Sequence, residues 1–249
     1  MAKLSLRYER SEFESRVGNL LSSLQILPNN KDIFYLAFIH RSVLNEASLG
    51  YTESNERLEY LWDAVLELVV TEALFRSFPE KTEGELTDIR SALVRGRNLA
   101  AIATLLWVPY CIQLSRGEAM ALGYENPYIL ANTFEALLGA LYLDTGLEKA
   151  REFIMTHVYT TLSHILEKWL YVDPKSYLQE ITQGRWGTTP LYEVVEEVWA
   201  DHNKTYVVSV SFREIVLAHG QGSSKKKAEQ DAAENALSVR AEWEGKMIK

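Results

Sequence analysis

The chain has 249 residues, 47% of them hydrophobic and 24% charged, with a formal net charge of −8 and one cysteine. This composition excludes an intrinsically disordered chain, and a single cysteine excludes an intramolecular disulfide and is typical of a reducing compartment. Residues 1–173 hold 16 Lys and Arg against 23 Asp and Glu, whereas residues 174–249 hold 10 against 11. Because charges are screened over about 10 Å, this balance does not exclude nucleic-acid binding by a local basic cluster.

Neither the first residues nor the apolar runs predict a membrane protein. The N-terminal ten residues have no apolar core suited to a signal peptide. The longest apolar stretch, Leu99–Leu114, is interrupted by polar residues and is shorter than the ~20 residues of a membrane helix. We therefore expect a soluble, cytoplasmic protein with no membrane partner, in which Cys111 is a small core residue.

The first two-thirds of the chain predicts helices. Apolar residues recur at intervals of three and four in four segments, namely Leu58–Phe75, Leu86–Leu106, Ile129–Leu143 and Ala150–Leu166. Short breaks containing proline follow at Pro79, Pro109 and Pro127. An all-α first domain is predicted.

The first of these helices carries an acidic stripe. Glu56, Glu59 and Asp63 stand at i, i+3 and i+7 and share one side of the helix. The opposite face is apolar, with Leu58, Leu61, Val65 and Leu68. Two interpretations are open from spacing alone: a solvated acidic face, or oxygen ligands for a divalent cation.

The pattern changes at Asp173-Pro174, because a residue before proline is pushed out of the helical region. A short helix at Lys175–Gln183 and a closing helix at about Ser224–Val239 flank three β-type runs. The runs are Leu191–Trp199, Thr205–Phe212 and Ile215–His219. The order predicts a small domain with one sheet face packed against two helices.

Several segments together resemble the ribonuclease III family. Asn55–Leu66 reads Asn-Glu-Arg-Leu-Glu-Tyr-Leu-Trp-Asp-Ala-Val-Leu and is similar to the family's signature. Ala37–Ser42, Glu83–Val94 and Ile129–Ala140 resemble its neighbouring segments, and Gly220–Gln230 is similar to part of a double-stranded-RNA-binding domain. The resemblance implies an all-α nuclease domain of the ribonuclease III endonuclease fold at 1–170. It further implies an α+β (α-β-β-β-α) double-stranded-RNA-binding domain at 174–243.

By this resemblance, the chain is a homodimeric endoribonuclease. It would hydrolyse double-stranded RNA, including ribosomal RNA precursors, to 5′-phosphate ends with short 3′ overhangs. Glu59, Asp63 and Glu135 match the family's metal-binding positions, and Asp63 and Glu135 are the main catalytic candidates. Mg²⁺ is the expected cofactor, with Mn²⁺ as an alternative. No Ser-His-Asp or Cys-His pattern is evident to supply a protein nucleophile.

Two residues depart from the family pattern. Asn132 stands where the family has aspartate, and its neutral carbonyl oxygen is an acceptable ligand that contributes no charge. Metal affinity is therefore expected to be weaker. Trp62 replaces a glycine at the border between the acidic stripe and the apolar face. It either packs in a helix or subunit contact, or it touches substrate or crowds the metal site.

RNA contacts are expected mainly from the C-terminal part. Ser224 can cap a helix whose first turn presents Lys225, Lys226 and Lys227 to phosphate. By resemblance, Gln179, Glu180 and His202 would reach 2′-hydroxyl groups in minor grooves. Candidate phosphate contacts in the first domain are Arg95, Arg97 and Arg116. The alternative interpretation is that each is an ordinary surface charge.

For three other residues the expected roles are less specific. Glu56 is expected to form a salt bridge or hydrogen bond near the cleft, Glu67 to be solvated and His40 to have a structural role.

The rival function is an RNA-binding protein of the same fold with weak or no cleavage, supported by Asn132 and Trp62. A duplex-DNA nuclease is disfavoured by the C-terminal domain.

Overall fold

The computed structural model describes residues 9–46, 50–168, 170–200 and 203–247. The chain divides into two compact units, Met1–Tyr171 and Val172–Lys249. This division falls two residues before the Asp173-Pro174 step. Among the described residues, no helix is long and apolar enough to cross a membrane.

In the described residues the first unit is helical. Its α-helices are α1 (Arg10–Ser23), α2 (Lys31–Ala37), α3 (Glu56–Ser77), α4 (Glu83–Val94), α5 (Gly96–Leu105), α6 (Arg116–Met120), α7 (Pro127–Thr145), α8 (Leu147–His157) and α9 (Leu162–Glu167). Short 3₁₀ turns lie at Arg41–Asn45, Val108–Cys111, Gly123–Glu125 and Tyr159–Thr161. The all-α prediction for this part is confirmed.

Two predicted helices are each divided in the structure. Leu86–Leu106 becomes α4 and α5, because Arg95 between them has an extended backbone (φ −59°, ψ 133°). The Asn98 side chain donates to the Leu93 carbonyl oxygen (2.8 Å) and so satisfies an acceptor at the end of α4. Ala150–Leu166 becomes α8, a 3₁₀ turn and α9. Periodicity did not reveal these breaks, since the apolar spacing continues across them.

Helix α7 forms the centre of the first unit. α2, α3, α5 and α8 pack around it, and its middle turns are buried on nearly every side. Cys111 is buried in the same core, as predicted. Leu68, in contrast, was placed on the apolar face of α3 and is 56% exposed, so that part of the predicted core face was wrong.

The second unit has the predicted order of helix, three strands and helix. Its elements are α10 (Pro174–Trp186), β1 (Leu191–Ala200), β2 (Asn203–Phe212), β3 (Ile215–Gly222), α11 (Lys225–Ser238) and α12 (Arg240–Met247). The sheet is antiparallel in the order β1-β2-β3, with irregularities in register at Val194/Glu196 and Val210/Ser211. The terminal helix α12 was not predicted; its Trp243 is buried and donates to the Ala236 carbonyl oxygen (2.7 Å).

Candidate functional site

The start of α3 is fixed by a buried asparagine. Asn55 is 2% exposed, and its side chain donates to the Ala37 carbonyl oxygen (3.2 Å) while its backbone N–H donates to Ile39 (2.9 Å). These bonds hold the first turn of α3 against the segment that leads to His40. The sequence pointed to Asn55 only as part of the signature and gave it no role.

Glu59 and Asp63 lie on the open side of α3, and Trp62 lies on its buried side. Trp62 is completely buried in the core, which supports the packing interpretation and leaves it no surface for substrate. Its indole Nε1–H is one of the buried polar groups for which the described structure provides no hydrogen-bond acceptor. The tryptophan therefore contributes apolar packing at the cost of one unsatisfied donor.

Helix α7 supplies the other half of the candidate site. Asn126 caps this helix by accepting from the Tyr128 N–H (3.0 Å), and Pro127 occupies its first turn. Asn132 and Glu135 follow at i and i+3 on one face. The side chain of Asn132 lies beside that of Glu59 and opposes the rise of its pKa, so α7 and α3 meet within the site.

Close backbone packing brings these two helices together. α3 and α7 make extensive contact, and Gly139 of α7 faces the backbone of Leu58, the residue before Glu59. Gly139 lies one turn after Glu135 on its own helix. The glycine thus allows the approach that places the two acidic segments opposite each other.

The carboxyl groups raise one another's pKa. Burial, followed by the charges of Asp63 and Glu59, raises the pKa of Glu135 to about 8. Burial and then Asp63 raise the pKa of Glu59, although the neighbouring Asn132 side chain opposes this. Burial and then Glu67 raise the pKa of Asp63. Among the described residues, no cationic group offsets these effects, since Arg41 at the same cleft is paired with Glu56. The cluster is therefore electrostatically suited to a bound positive charge.

Glu59 and Asp63 face a cleft of about 240 Å³, whose lining does not include the more deeply buried Glu135. Glu59, Asp63 and Asn132 line it together with His40, Tyr60 and Tyr128, for which the sequence gave no cleft role. The His40-x-Ser42 spacing was the available signal for His40, because the imidazole accepts from the Ser42 N–H as a cap (3.3 Å).

Glu56, also at the cleft, is held by other groups. It pairs with Arg41 (3.1 Å) and accepts from the Ser54 hydroxyl (3.0 Å), which agrees with the expected salt bridge or hydrogen bond. Glu67 is exposed, as predicted. In the described part of the chain, no three or more His, Cys, Asp or Glu side chains form a group that could hold a metal ion.

The three candidate arginines are all exposed. Arg95 lies between α4 and α5, and Arg97 lies in the first turn of α5. Arg116 begins α6, where its backbone N–H donates to Glu46 (2.6 Å). The structure places none of the three among the residues that line the carboxylate cleft. A role in contacting phosphate stays a prediction.

In the second unit, two glycines position the lysine cluster. A Cβ on Gly220 would lie 2.0 Å from the Ala232 nitrogen, and one on Gly222 would lie 2.6 Å from the Ala228 nitrogen. α11 therefore packs directly on β3. Asp231 accepts from the Gln221 N–H (2.8 Å) and fixes this contact further.

The first turn of α11 then projects Lys225, Lys226 and Lys227 into solvent. Ser224 caps the helix by accepting from the Lys227 N–H (3.3 Å), as the sequence predicted. Helix N–H groups and three ammonium groups together make this turn a suitable anion site. On α10, Gln179 and Glu180 are exposed next to the buried Leu178. His202, the third predicted minor-groove residue, lies outside the described residues.

Comparisons with known proteins agree for both units. A family model described as Ribonuclease-III-like matches residues 30–162, and one described as Double-stranded RNA binding motif matches residues 174–240. The chain is 40% identical over 224 residues to a protein named Ribonuclease 3 from Pelotomaculum thermopropionicum. This match covers 90% of this chain and 93% of that protein. It is 38% identical over 240 residues to a Ribonuclease 3 from Bacillus cereus, covering 93% and 96%.

A solved structure is similar to the first unit. It is the nuclease domain of ribonuclease III from Campylobacter jejuni, described for structural flexibility in a region involved in dimer formation. The similarity has a TM-score of 0.54 at 35% identity and covers 58% of this chain and 96% of that one.

Proposed function

The chain belongs to the ribonuclease III family of divalent-metal-dependent endoribonucleases, and we propose that it cuts both strands of duplex RNA with Mg²⁺ as its metal ion. The products would be 5′-phosphate ends with short 3′ overhangs, and the substrates would include structured ribosomal RNA precursors in the cytoplasm. The observation that carries this proposal is the uncompensated carboxylate cluster of Glu59, Asp63 and Glu135 beside Asn132.

The residues present fit such an ion. Mg²⁺ keeps several waters and is usually bound through one or two carboxylates and substrate phosphates, so it does not require three converging acidic side chains. Glu59, Asp63 and Glu135 would supply charged oxygens, and Asn132 a neutral one. The raised pKa of each carboxyl group means that a cation here would relieve repulsion already present in the fold.

Bound divalent metal lowers the pKa of water to make a nucleophile and stabilises charge on the phosphate. The chain's own residues prepare the site for this chemistry. Asn132 lies beside Glu59 and favours the ionised form of that carboxyl group. Burial and the charges of Asp63 and Glu59 raise the pKa of Glu135 to about 8, so bound positive charge would favour its ionised form. The buried Trp62 keeps the side of α3 behind Asp63 dry.

The exposed face of α3 favours a homodimer. Tyr60, Leu68 and Phe75 share one side of this helix and are 82%, 56% and 72% exposed. Phe75 also lines an apolar groove with Phe78 and Leu86 between α3 and α4. An apolar stripe continuous with a groove is typical of an interaction surface. A second copy would bring two carboxylate clefts to one RNA duplex.

The C-terminal unit would hold the duplex. The lysines at the start of α11 would contact phosphates, and Gln179 and Glu180 would contact minor-groove hydroxyl groups. Recognition of this kind spans ~16 base pairs and depends more on the A-form shape of the duplex than on its sequence. Duplex RNA is therefore favoured over duplex DNA.

The test is incubation of the purified chain with a long RNA duplex and Mg²⁺. We expect cleavage that is lost in Glu135→Gln and absent on a DNA duplex of equal length. Asn132→Asp is expected to cleave at lower Mg²⁺ concentration, since it adds a charge to the site. Binding without cleavage by the wild-type chain, with cleavage restored by Asn132→Asp, would instead establish the RNA-binding protein as the function. Equal cleavage of DNA would overturn the substrate assignment.

A further inference from the structure

His40 lies in the carboxylate cleft with one ring nitrogen already committed. The Ser42 N–H donates to His40 Nδ1 (3.3 Å), and the Ser42 Oγ lies 2.9 Å from the same nitrogen. Oγ in turn accepts from the Ser115 N–H (3.0 Å), so the hydroxyl proton is available to donate to Nδ1. Nδ1 therefore acts as the acceptor of the Ser42 N–H, with the Ser42 hydroxyl group also in contact with it.

This arrangement determines the tautomer of the ring. A ring nitrogen that accepts a hydrogen bond from a backbone N–H carries no proton, so neutral His40 has its proton on Nε2. Burial lowers the pKa of His40, which favours the same neutral form. Protonating Nδ1 would break the 3₁₀ cap at Arg41–Asn45 as well.

The Nε2 edge is the part of the ring left to face the cleft. Nδ1 is turned back to Ser42, yet the side chain lines the cleft with Glu59, Asp63 and Asn132. Within the described part of the chain, no hydrogen bond to Nε2 is present. A half-buried donor without a partner, next to a carboxylate cluster, is suited to an anionic oxygen brought in with the substrate.

We propose that His40 is a substrate-contacting residue whose Nε2–H donates to a non-bridging phosphate oxygen of the RNA strand in the cleft. This assignment rests on the proposed function and replaces the purely structural role expected from the sequence. His40 stays neutral and acts as a hydrogen-bond donor; it transfers no proton. It complements the ionised form of the carboxylates, which accepts hydrogen bonds and donates none to a phosphate.

The chain allows a substitution that separates the two roles of His40. Asparagine is a good N-cap, and its Oδ1 can accept from the Ser42 N–H in place of Nδ1. It is too short to replace Nε2. His40→Asn should therefore keep the fold and remove only the donor. His157→Asn is the matched control, because His157 is a half-buried histidine that packs on Phe153 outside the cleft.

The decisive measurement combines this substitution with modified RNA. After the wild-type cut site is mapped, duplexes are made with one methylphosphonate at the scissile phosphate or at a neighbouring position. We expect His40→Asn to lower kcat/KM on unmodified duplex by about tenfold or more. At the phosphate that His40 contacts, a methylphosphonate should cause little further loss in His40→Asn, so that the effects of the substitution and of the modification are non-additive there. His157→Asn should leave kcat/KM unchanged. Additive effects at every position would overturn the proposal, as would unchanged kcat/KM in a folded His40→Asn variant.

A second readout does not depend on turnover. In the cleavage-deficient Glu135→Gln chain, ¹⁵N–¹H correlation spectra should show His40 with unprotonated Nδ1 and protonated Nε2, and the Nε2 signal should shift when duplex RNA is added. A proton on Nδ1, or no shift in a chain that binds RNA, would contradict the assignment. Failure of the wild-type chain to cleave RNA would overturn the proposed function instead, so the two failures are distinguishable.

Discussion

Gly139 of α7 lies so close to Leu58 of α3 that a Cβ on the glycine would come within 2.4 Å of the Leu58 carbonyl oxygen. The neighbouring atoms are backbone and cannot rotate away. The residue after Leu58 is Glu59, and Glu135 lies one turn before Gly139. The absence of a side chain at Gly139 thus sets the distance between α3, which carries Glu59, and α7, which carries Glu135.

Gly139→Ala is therefore expected to force α3 and α7 apart. Overpacking of this kind costs about 1–3 kcal/mol in the free energy of unfolding, and the displaced carboxylates should reduce kcat at least tenfold. Urea denaturation and RNA cleavage measure the two effects. Gly84→Ala in α4 is the control, since a Cβ there meets nothing within 4 Å. Equal behaviour of the two variants would refute the role of Gly139.

Stability without metal should depend on pH through Glu135. Its folded-state pKa of about 8 lies above the ordinary value of 4.5, so its stabilising contribution is fully present below pH 4.5 and is lost as pH rises towards 8. Glu135→Gln removes this loss and should raise the free energy of unfolding at pH 8 by on the order of 2 kcal/mol. At pH 4 the gain should be near zero. Denaturation of the metal-free proteins at both pH values checks this, and a gain independent of pH would contradict it.

Trp62→Gly should not restore a better site, although glycine is the family's usual residue there. The indole is completely buried, so its removal leaves a large cavity in the core. Loss of a buried tryptophan costs about 3–5 kcal/mol, and glycine inside a helix costs about 1 kcal/mol more. Thermal unfolding should show a large fall in Tm, and Trp62→Phe should show a much smaller one. A Trp62→Gly variant as stable as wild type would mean that the core around α3 repacks.

The lysine turn of α11 should determine how RNA binding responds to salt. Each phosphate contact contributes about 0.9 to the slope of log affinity against log salt concentration for a regular duplex. Replacing Lys225, Lys226 and Lys227 with alanine should lower that slope by roughly two to three. Lys175→Ala is the control, because Lys175 is paired with Glu229 on the same unit. Fluorescence anisotropy at several salt concentrations would distinguish the triple-alanine variant from the Lys175→Ala control. Equal salt slopes in these two variants would exclude the lysine turn as the phosphate contact.

The sequence predicted those features that depend on local pattern or on a specific motif. The acidic stripe on α3, the Ser224 cap and the three strands follow from periodicity and from residue type, and the structure confirms them. The break at Arg95 was missed because the apolar spacing is continuous there. Leu68 was misplaced because the pattern shows that a face is apolar but not whether another helix of the same chain covers it.

The site was predicted less completely than the fold. Glu59 and Asp63 could be paired from their spacing, whereas their relation to Asn132 and Glu135 depends on how α3 and α7 cross. The contribution of Gly139 is a tertiary contact with no local signal. His40 looked structural because its apolar neighbours dominate the sequence, and only the hydrogen bonds of Ser42 show which nitrogen is free to act.

The two units have separate hydrophobic cores. Among the residues that the structure describes, the first core ends at Ile165 and the second begins at Leu178, and each buried core residue belongs to one core alone. A mutation within one core therefore removes contacts from that core and from none of the other core's described residues. RNA affinity and cleavage rate can accordingly change separately over evolutionary time, each under its own selection.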